Sequence, residues 1–411
     1  MSSTEFDTDF VSKPIGTAMT GNATTVLLLG AGELGKELTA SFQRLGLEVH
    51  AVDKYLNAPA HQLAQYAYVA DITDPAQVRG LIQRVRPDYV VPEVETVATE
   101  VLAEAEEAGT VVVPTAHACE LTNGREKIRV KAAEELGLPT TAYSFVTTVE
   151  EYHEAFEELG FPCIVKPSAS ASTGRRHVVV NSEDEVDNAW RVVNRGRVEP
   201  AGEQSVVVER FVDFDCEITI LAVRSIDPAT GELATWFCEP IGHAHSKGDL
   251  VESWQPVALS ETAMDNARSV AARITNELGG RGVYGVDLFV SGDDVYFSTV
   301  SPRPHESGMV TLASQRFSEF DLHVRAILGL PIDATMTTPG AVRMLNAPRA
   351  SREVSYSGIA SALEVPESQI RLFGKPTAYP GRRMGMAVAT AETAEEARTR
   401  ATEAARRVSI D

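Results

Sequence analysis

The stretch DLFVSGDDVYFSTVSPRPHESG, residues 287–308, predicts two β-strands joined by a tight turn and followed by a proline-rich loop. The Gly-Asp-Asp sequence at residues 292–294 is the turn signal between the strands. Such a hairpin can present acidic residues from both strands to one bound cation. Here the first strand offers Asp287, whereas the facing position of the second strand is Thr299, which carries no charge. The hairpin therefore predicts a cation site with a single carboxylate.

The composition is that of an ordinary globular protein of two or three domains, since 411 residues are long for one domain and 44% of them are hydrophobic. No apolar run is long enough to span a membrane. Residues 1–23 lack a signal-peptide core and are expected to form a flexible polar leader, with cytoplasmic residence as the default. The cysteines have no CxxC spacing, so we expect buried thiols rather than a zinc site or disulfides.

The net charge of -21 is the outlying feature of the composition. It argues against a nucleic-acid partner, because phosphate backbones require clustered positive charge. Lysine is also scarce: 8 of the 37 basic residues are lysines, which leaves 29 arginines. A surface rich in acid and poor in lysine favours a halophilic cytoplasm, and an acidic mesophilic protein is the alternative.

Short apolar runs alternate with amphipathic stretches between residues 24 and 122, which predicts a parallel sheet with helical crossovers, a Rossmann-like domain. A second domain is expected at 123–331 and a small C-terminal domain at 332–411. Capping-box patterns predict helix starts at Thr148 with Glu151, Ser182 with Glu185, and Thr393 with Glu396. The expected fold class combines α/β and α+β parts.

A glycine loop, GAGELG at residues 30–35, directly follows a predicted strand and opens a predicted helix. Asp53 ends the next strand, as the dinucleotide fingerprint requires. Backbone amides at a helix N-terminus favour an anion, and the glycines allow it to approach. The loop alone leaves three interpretations open: a dinucleotide, another phosphorylated small molecule, or a purely structural turn.

A second set of residues is suited to a nucleotide triphosphate. Lys166 ends an apolar strand and is followed by a Ser/Ala/Gly-rich stretch, residues 168–177, that we expect to close over phosphates as a lid. Glu209, with the backbone of residues 210–212, is suited to an adenine edge, and Glu217 to ribose hydroxyls. This ordered set, followed by the hairpin, predicts a nucleotide site.

The order of these elements resembles the ATP-grasp superfamily. The phrases LLGAGELGKE, VVPEVE, FPCIVKP, FDCEITIL, ESWQP, SPRPHESGMVTL, IRLFGKP and GRRMG are similar to formate-dependent phosphoribosylglycinamide formyltransferases in particular. The resemblance runs from about Thr24 to the C-terminus. It implies a Rossmann-like N-terminal domain, a two-lobed ATP-grasp domain and a small C-terminal domain, assembled as a homodimer.

The resemblance also implies roles for individual positions. Substrate contacts fall on Glu33, Leu34, Glu93, Glu306, Lys375, Arg382 and Arg383. ATP contacts fall on Arg125, Lys166, Ser172, Thr173, Gly174, Arg175, Arg176, His177, Glu209, Arg210, Phe211, Val212 and Glu217. Metal ligands, expected for Mg²⁺, fall on Asp287 and Thr299, and catalytic roles on Lys166 and Arg303.

Several of these side chains also fit ordinary structural roles. From the residues alone, Arg382 and Arg383 could form a solvated basic pair, Lys375 could be a surface residue, and Glu33 could be a first-turn helix acid. The chain also departs from the family pattern, which has glutamate at the Asp287 and Thr299 positions and aspartate at Glu306. The flap has Arg176 where the family has glycine.

The implied reaction is the ATP- and formate-dependent formylation of glycinamide ribonucleotide through formyl phosphate in purine biosynthesis. Because Thr299 removes one metal-binding charge, a catalytically weakened relative that binds ATP and a ribonucleotide is the first alternative. An ATP-grasp ligase for another acid and amine is the second.

Overall fold

The computed structural model describes residues 14–167, 177–194, 206–246 and 249–411. Ser172, Thr173, Gly174, Arg175 and Arg176 of the predicted flap lie outside the described residues, as do residues 1–13. Residues 14–23, expected to belong to a flexible leader, run beside the first sheet, where the Met19 N–H donates a hydrogen bond to Glu48 Oε2 at 2.6 Å. None of the helices in the described segments is long and apolar enough to cross a bilayer.

The N-terminal part is a parallel five-stranded sheet of order β3-β2-β1-β4-β5. Its strands are β1 (Thr25–Leu29), β2 (Glu48–Asp53), β3 (Tyr66–Val69), β4 (Tyr89–Pro92) and β5 (Val111–Val112). Its helices are α1 (Glu33–Arg44), α2 (Pro75–Val85), α3 (Thr99–Glu107) and α4 (Ala116–Thr122). The alternation of strand and helix confirms the Rossmann-like prediction, and the strand carboxyl ends face the site.

The next region forms an antiparallel four-stranded sheet of order β6-β9-β7-β8. It is preceded by α5 (Arg125–Val130), which continues as a π-helical turn at Lys131–Glu135. Its strands and helices are β6 (Tyr143–Val146), α6 (Val149–Leu159), β7 (Cys163–Pro167), β8 (Val178–Val180), α7 (Val186–Val193) and β9 (Val206–Arg210). This is the smaller lobe of the expected two-lobed domain.

The other lobe is built on a nine-stranded sheet of order β15-β14-β10-β12-β13-β16-β19-β18, with β11 paired to β10. Its first part contains β10 (Cys216–Ile226), β11 (Leu233–Phe237), β12 (Ile241–Ser246), β13 (Asp249–Gln255), α8 (Glu261–Leu278), β14 (Gly282–Ser291), β15 (Asp294–Ser301), α9 (Thr311–Ser314) and α10 (Glu319–Ile327). Its second part contains β16 (Gly340–Asn346), β17 (Tyr356–Ser357), α11 (Ile359–Ala362), β18 (Ser368–Leu372), β19 (Arg383–Thr390), α12 (Ala394–Arg406) and β20 (Ser409–Ile410). Because β13 pairs with β16, the expected boundary at residue 332 lies within one continuous sheet.

A shared hydrophobic core joins the N-terminal domain to the larger lobe. One buried cluster includes Leu38 and Phe42 of α1 together with Phe320 and Val324 of α10. Contact of this kind removes apolar surface of both domains from water, at about 25 cal/mol per Å². Helix α1 of the N-terminal domain is therefore fixed against α10 of the larger lobe.

The helix starts test the capping predictions. Thr148 and Glu151 form the predicted reciprocal capping box of α6. The Ser182 capping box is wrong: Ser182 makes no side-chain cap bond, and a 3₁₀ turn at Glu183–Glu185 precedes α7. The Glu185 carboxylate instead accepts from the backbone and side-chain amides of Asn181. Thr393 caps α12 by accepting from the Glu396 N–H.

Candidate active site

The glycine loop closes against a carboxylate. A Cβ on Gly30, whose φ is +115°, would lie 2.6 Å from Glu93 Oε2, so glycine is required there. The Asp53 carboxylate accepts a hydrogen bond from the loop amide of Ala31 at 3.0 Å. Asp53, the residue that would bind the ribose of a dinucleotide, is thus hydrogen-bonded to the glycine loop itself. Acidic side chains also line the space beside the loop. This arrangement disfavours a pyrophosphate and favours a cationic or hydroxylated ligand.

Glu93 follows β4 at the carboxyl edge of the sheet and is buried. Among the described residues, Glu93 Oε2 and Arg303 Nη1 have no hydrogen-bond partner. Burial and the neighbouring Glu33 carboxylate raise the pKa of Glu93 well above its ordinary value, while Arg303 opposes the shift. Burial thus favours the protonated form of Glu93, which can both donate and accept hydrogen bonds.

Four predicted substrate residues form one charged network. Glu33, the first residue of α1, lies with Oε2 2.8 Å from Lys375 Nζ and with Oε1 3.6 Å from Arg383 Nη2. Arg383, the first residue of β19, binds Glu306 through both terminal guanidinium nitrogens. Burial alone would raise the pKa of Glu306, but the Arg383 guanidinium lowers it to about 2. Burial lowers the pKa of Lys375, and Glu33 partly offsets this shift.

Leu34 and Arg382 complete the predicted substrate set. Leu34 lines the same cavity, of about 550 Å³, as Glu93, Arg303 and Glu306. Arg382 is not among the residues that line this cavity, and its guanidinium carbon lies 5.3 Å from the centre of the Tyr379 ring and 5.7 Å from that of Tyr55.

A second cavity, of about 520 Å³, lies between the two lobes. It is lined by the predicted ATP residues Lys166, His177, Glu209, Arg210, Phe211, Val212 and Glu217. Lys166 Nζ on β7 lies 2.7 Å from Glu209 Oε2 on β9, the adjacent strand. Arg129 Nη2 lies 3.3 Å from Glu209 Oε1, so Glu209 is held by two cations. Arg125 begins α5 at the neighbouring helix, and its side chain lies outside the described residues.

The two cavities share a wall made by Asp287 and Thr299. These residues are direct partners across β14 and β15, as predicted, and a β-bulge between Asp287 and Leu288 sets this register. Asp287 Oδ1 accepts a hydrogen bond from Thr219 Oγ1 at 2.7 Å. A nucleotide-bound Mg²⁺ needs only one or two protein carboxylates besides phosphate oxygens and waters. A single Asp287 with a neighbouring hydroxyl fits that minimal donor set.

Sequence patterns missed three polar residues of this region. Arg129 lies inside a short helix and reaches Glu209, which local spacing does not reveal. His243 and His245 stand two apart on β12, a spacing that puts both side chains on one face of a strand. The H-x-H pattern in IGHAHS was therefore the available signal. His245 Nδ1 lies 3.3 Å from Glu217 Oε2.

Family models match successive parts of the chain. The ribonucleotide synthetase preATP-grasp domain matches residues 23–123, the ATP-grasp domain residues 131–320, and the PurT C-terminal domain residues 340–408. A cavity between two lobes, with a lysine at a strand end and a facing hairpin, agrees with these matches. The fold and site thus define an ATP-grasp protein, as predicted.

The chain is 57% identical over 402 residues to the formate-dependent phosphoribosylglycinamide formyltransferase of Corynebacterium efficiens, covering 98% of this chain and 99% of that protein. It is 53% identical over 400 residues to the protein of that name from Rhodococcus jostii, covering 96% and 97%. The chain therefore belongs to the family of formate-dependent phosphoribosylglycinamide formyltransferases, which confirms the resemblance.

Solved structures of related proteins have the same fold. Glycinamide-RNase-transformylase T from Mycobacterium tuberculosis superposes with a TM-score of 0.79 at 38% identity, covering 94% of this chain and 100% of that one. Carboxyaminoimidazole ribonucleotide synthase from Aspergillus clavatus, complexed with ATP, gives 0.81 at 25% identity, covering 94% and 99%.

Proposed function

We propose that the protein uses ATP and formate to formylate glycinamide ribonucleotide in purine biosynthesis, releasing ADP and phosphate. The observation that carries the proposal is the wall of Asp287 and Thr299 shared by two cavities. A nucleotide on one side and an amine substrate on the other would meet there. Family membership supplies the identities of the two ligands.

The charged network suits a ribose phosphate amine. Lys375, Arg382 and Arg383 provide cations for a phosphate, and an arginine can bind it through two parallel hydrogen bonds. Glu33, Glu93 and Glu306 provide acceptors for ribose hydroxyls and the amine. Arg383 binds Glu306 and lies near Glu33, so phosphate binding would exchange Glu306 for phosphate oxygens on Arg383.

In the nucleotide cavity we assign Lys166 to the ATP phosphates, Glu209 and residues 210–212 to the adenine, and Glu217 to the ribose. Formate oxygen attacks the γ-phosphate to give formyl phosphate and ADP, and the substrate amine then attacks the formyl carbon. Positioning and charge neutralisation dominate such transfers. Lys166 and the buried Arg303 are the residues we assign to charge neutralisation at the reacting groups.

We further propose Asp287 as the protein ligand of an ATP-bound Mg²⁺, with Thr299 ordering a coordinated water. The ion, when bound, supplies positive charge at the phosphates. Residues 24–122 would form the substrate domain, 123–331 the ATP-grasp domain and 332–411 the C-terminal domain. A cytoplasmic homodimer with a salt-adapted acidic surface completes the proposal.

The neutral Thr299 favours one rival, a relative that binds both ligands but turns over slowly. An assay with ATP, formate and glycinamide ribonucleotide across a magnesium titration in high salt separates the two functions. Formylated product that depends on all three substrates supports the enzyme. Tight ligand binding without product supports the rival, and turnover with a different acid would show another ligase.

A further inference from the structure

Glu217, His243 and His245 form a cluster at the mouth of the nucleotide cavity. Each offers one ligand atom, and the three atoms lie within 4.8 Å of one another. Glu217 is on β10, and both histidines are on the paired strand β12, where Ile218 faces Gly242. Three side chains from two hydrogen-bonded strands are thus held together by the sheet.

The distances suit a compact metal centre. Glu217 Oε2 lies 3.3 Å from His245 Nδ1 and 3.7 Å from His243 Nδ1. Tetrahedral bonds of about 2.0–2.1 Å to nitrogen and oxygen place neighbouring ligand atoms about 3.4 Å apart. Both separations from Glu217 are thus close to the spacing of a tetrahedral centre, and all three ligand atoms lie within 4.8 Å of one another.

His243 provides an independent sign of a missing ligand. Its side chain is only 3% exposed, yet neither of its ring nitrogens has a hydrogen-bond partner among the described residues. Buried polar atoms normally have partners, so an unpartnered imidazole aimed into a cluster points to a group that binds there. Its other nitrogen, Nε2, lies 3.7 Å from Asp287 Oδ1. Metal-binding histidines commonly turn their second nitrogen towards a carboxylate in this way.

The donor types indicate the class of ion. Two imidazoles and one carboxylate suit Zn²⁺ and related transition-metal ions, whereas magnesium prefers oxygen ligands. The side chains of Glu217 and His245 are 42% and 38% exposed, so an ion can enter from the cavity.

We propose that Glu217, His243 and His245 bind a divalent transition-metal ion of the Zn²⁺ type, and that this ion and a nucleoside exclude each other. The mutual exclusion rests on the proposed function, because it requires Glu217 to bind the ribose. An ion on Glu217 would occupy the carboxylate that the proposed function assigns to the ribose hydroxyls. The ion would therefore inhibit by occupying the nucleotide cavity.

Co²⁺ is the probe for metal binding by the cluster, since its visible absorption reports both binding and ligand geometry. The full chain, without nucleotide, is titrated with Co²⁺ as wild type, His245→Gln and the control His117→Gln, which removes an exposed histidine outside the cluster. We expect His245→Gln to weaken Co²⁺ binding roughly tenfold or more, because even outer-sphere partners are worth that much. Wild-type affinity in His117→Gln is expected. Equal binding by all three proteins overturns the site.

X-ray absorption of the Zn²⁺-loaded protein gives a second readout that does not depend on a variant. Scattering from two imidazole rings is expected, and a shell of oxygen alone contradicts the proposal.

Adenosine tests whether the ion and a nucleoside exclude each other, because adenosine has the ribose but no phosphate that could chelate the metal. Adenosine that binds the metal-free protein and weakens Co²⁺ binding supports exclusion. Adenosine that binds without changing Co²⁺ affinity overturns exclusion and leaves the proposed function standing. If adenosine does not bind while Co²⁺ does, the exclusion fails and the metal site remains.

Discussion

Asp287 and Thr299 face each other directly across two antiparallel strands, at the wall between the two cavities. A carboxylate therefore meets a hydroxyl at the position where the proposed substrates would approach each other. The pair leaves the proposed magnesium site with one protein charge. The magnesium concentration that the reaction requires should therefore depend on how many carboxylates this wall carries.

Thr299→Glu should strengthen magnesium binding, because a second carboxylate would face Asp287 on the same wall. We expect the magnesium concentration for half-maximal activity to fall roughly tenfold or more. Thr299→Gln is the matched control, since it has nearly the same size and no charge. Equal magnesium dependence in the two variants would tell against the metal assignment.

Arg383→Lys should weaken ribonucleotide binding specifically. Lysine is a point charge and cannot reproduce the two-nitrogen contact that Arg383 makes with Glu306. Hydrogen bonds to charged groups are worth about 1.5–3 kcal/mol, so KM for the ribonucleotide should rise roughly 10- to 100-fold. KM for ATP should hardly change. Arg349→Lys, at an exposed arginine, is the control, and a parallel rise in both KM values would place Arg383 in a general structural role.

Glu319→Gln should change how stability depends on pH. Glu319 is fully buried and accepts a hydrogen bond from the His305 N–H at 2.8 Å, which helps to hold the loop that carries Glu306. Burial raises the pKa of Glu319 well above its ordinary value of 4.5, and the His305 bond only partly opposes this. The protonated carboxyl thus contributes stability that is complete below pH 4.5 and is lost as the pH rises towards the folded-state pKa.

The glutamine side chain has no proton to lose. The free energy of unfolding should therefore fall less with rising pH in Glu319→Gln than in the wild type, when both are measured by chemical denaturation. Glu392→Gln, at an exposed glutamate, should follow the wild-type curve. A Glu319→Gln curve parallel to that of the wild type would show that this carboxyl is already ionised in the folded protein.

Salt should stabilise the protein if its acidic surface is an adaptation. With a net charge of -21, self-repulsion is strongest when salt is withdrawn. We expect the melting temperature to rise between about 0.1 M and about 2 M KCl, where the screening length becomes a few ångströms. A melting temperature that is indifferent to KCl would favour the acidic mesophilic alternative.

Local sequence patterns predict some elements and contacts of the structure but not others. Strand periodicity and the Gly-Asp-Asp turn predict the hairpin, but a β-bulge next to Asp287 sets its pairing with Thr299, because the register of the turn alone would place Ser298 opposite Asp287. The pairing of Lys166 with Glu209 depends on β7 lying beside β9, an adjacency that no local pattern specifies. The contact of Glu33 with Lys375 similarly joins distant segments. The Ser182 prediction failed because Asn181 offers Glu185 a competing pair of donors.

The most direct test of the central claim follows oxygen from formate labelled with ¹⁸O. If a formate oxygen attacks the γ-phosphate, that oxygen bridges the two groups in formyl phosphate and leaves with phosphate when the amine attacks the formyl carbon. We expect each phosphate released with formylated ribonucleotide to contain one labelled atom, measured by mass spectrometry. Formylated product accompanied by unlabelled phosphate would contradict the account.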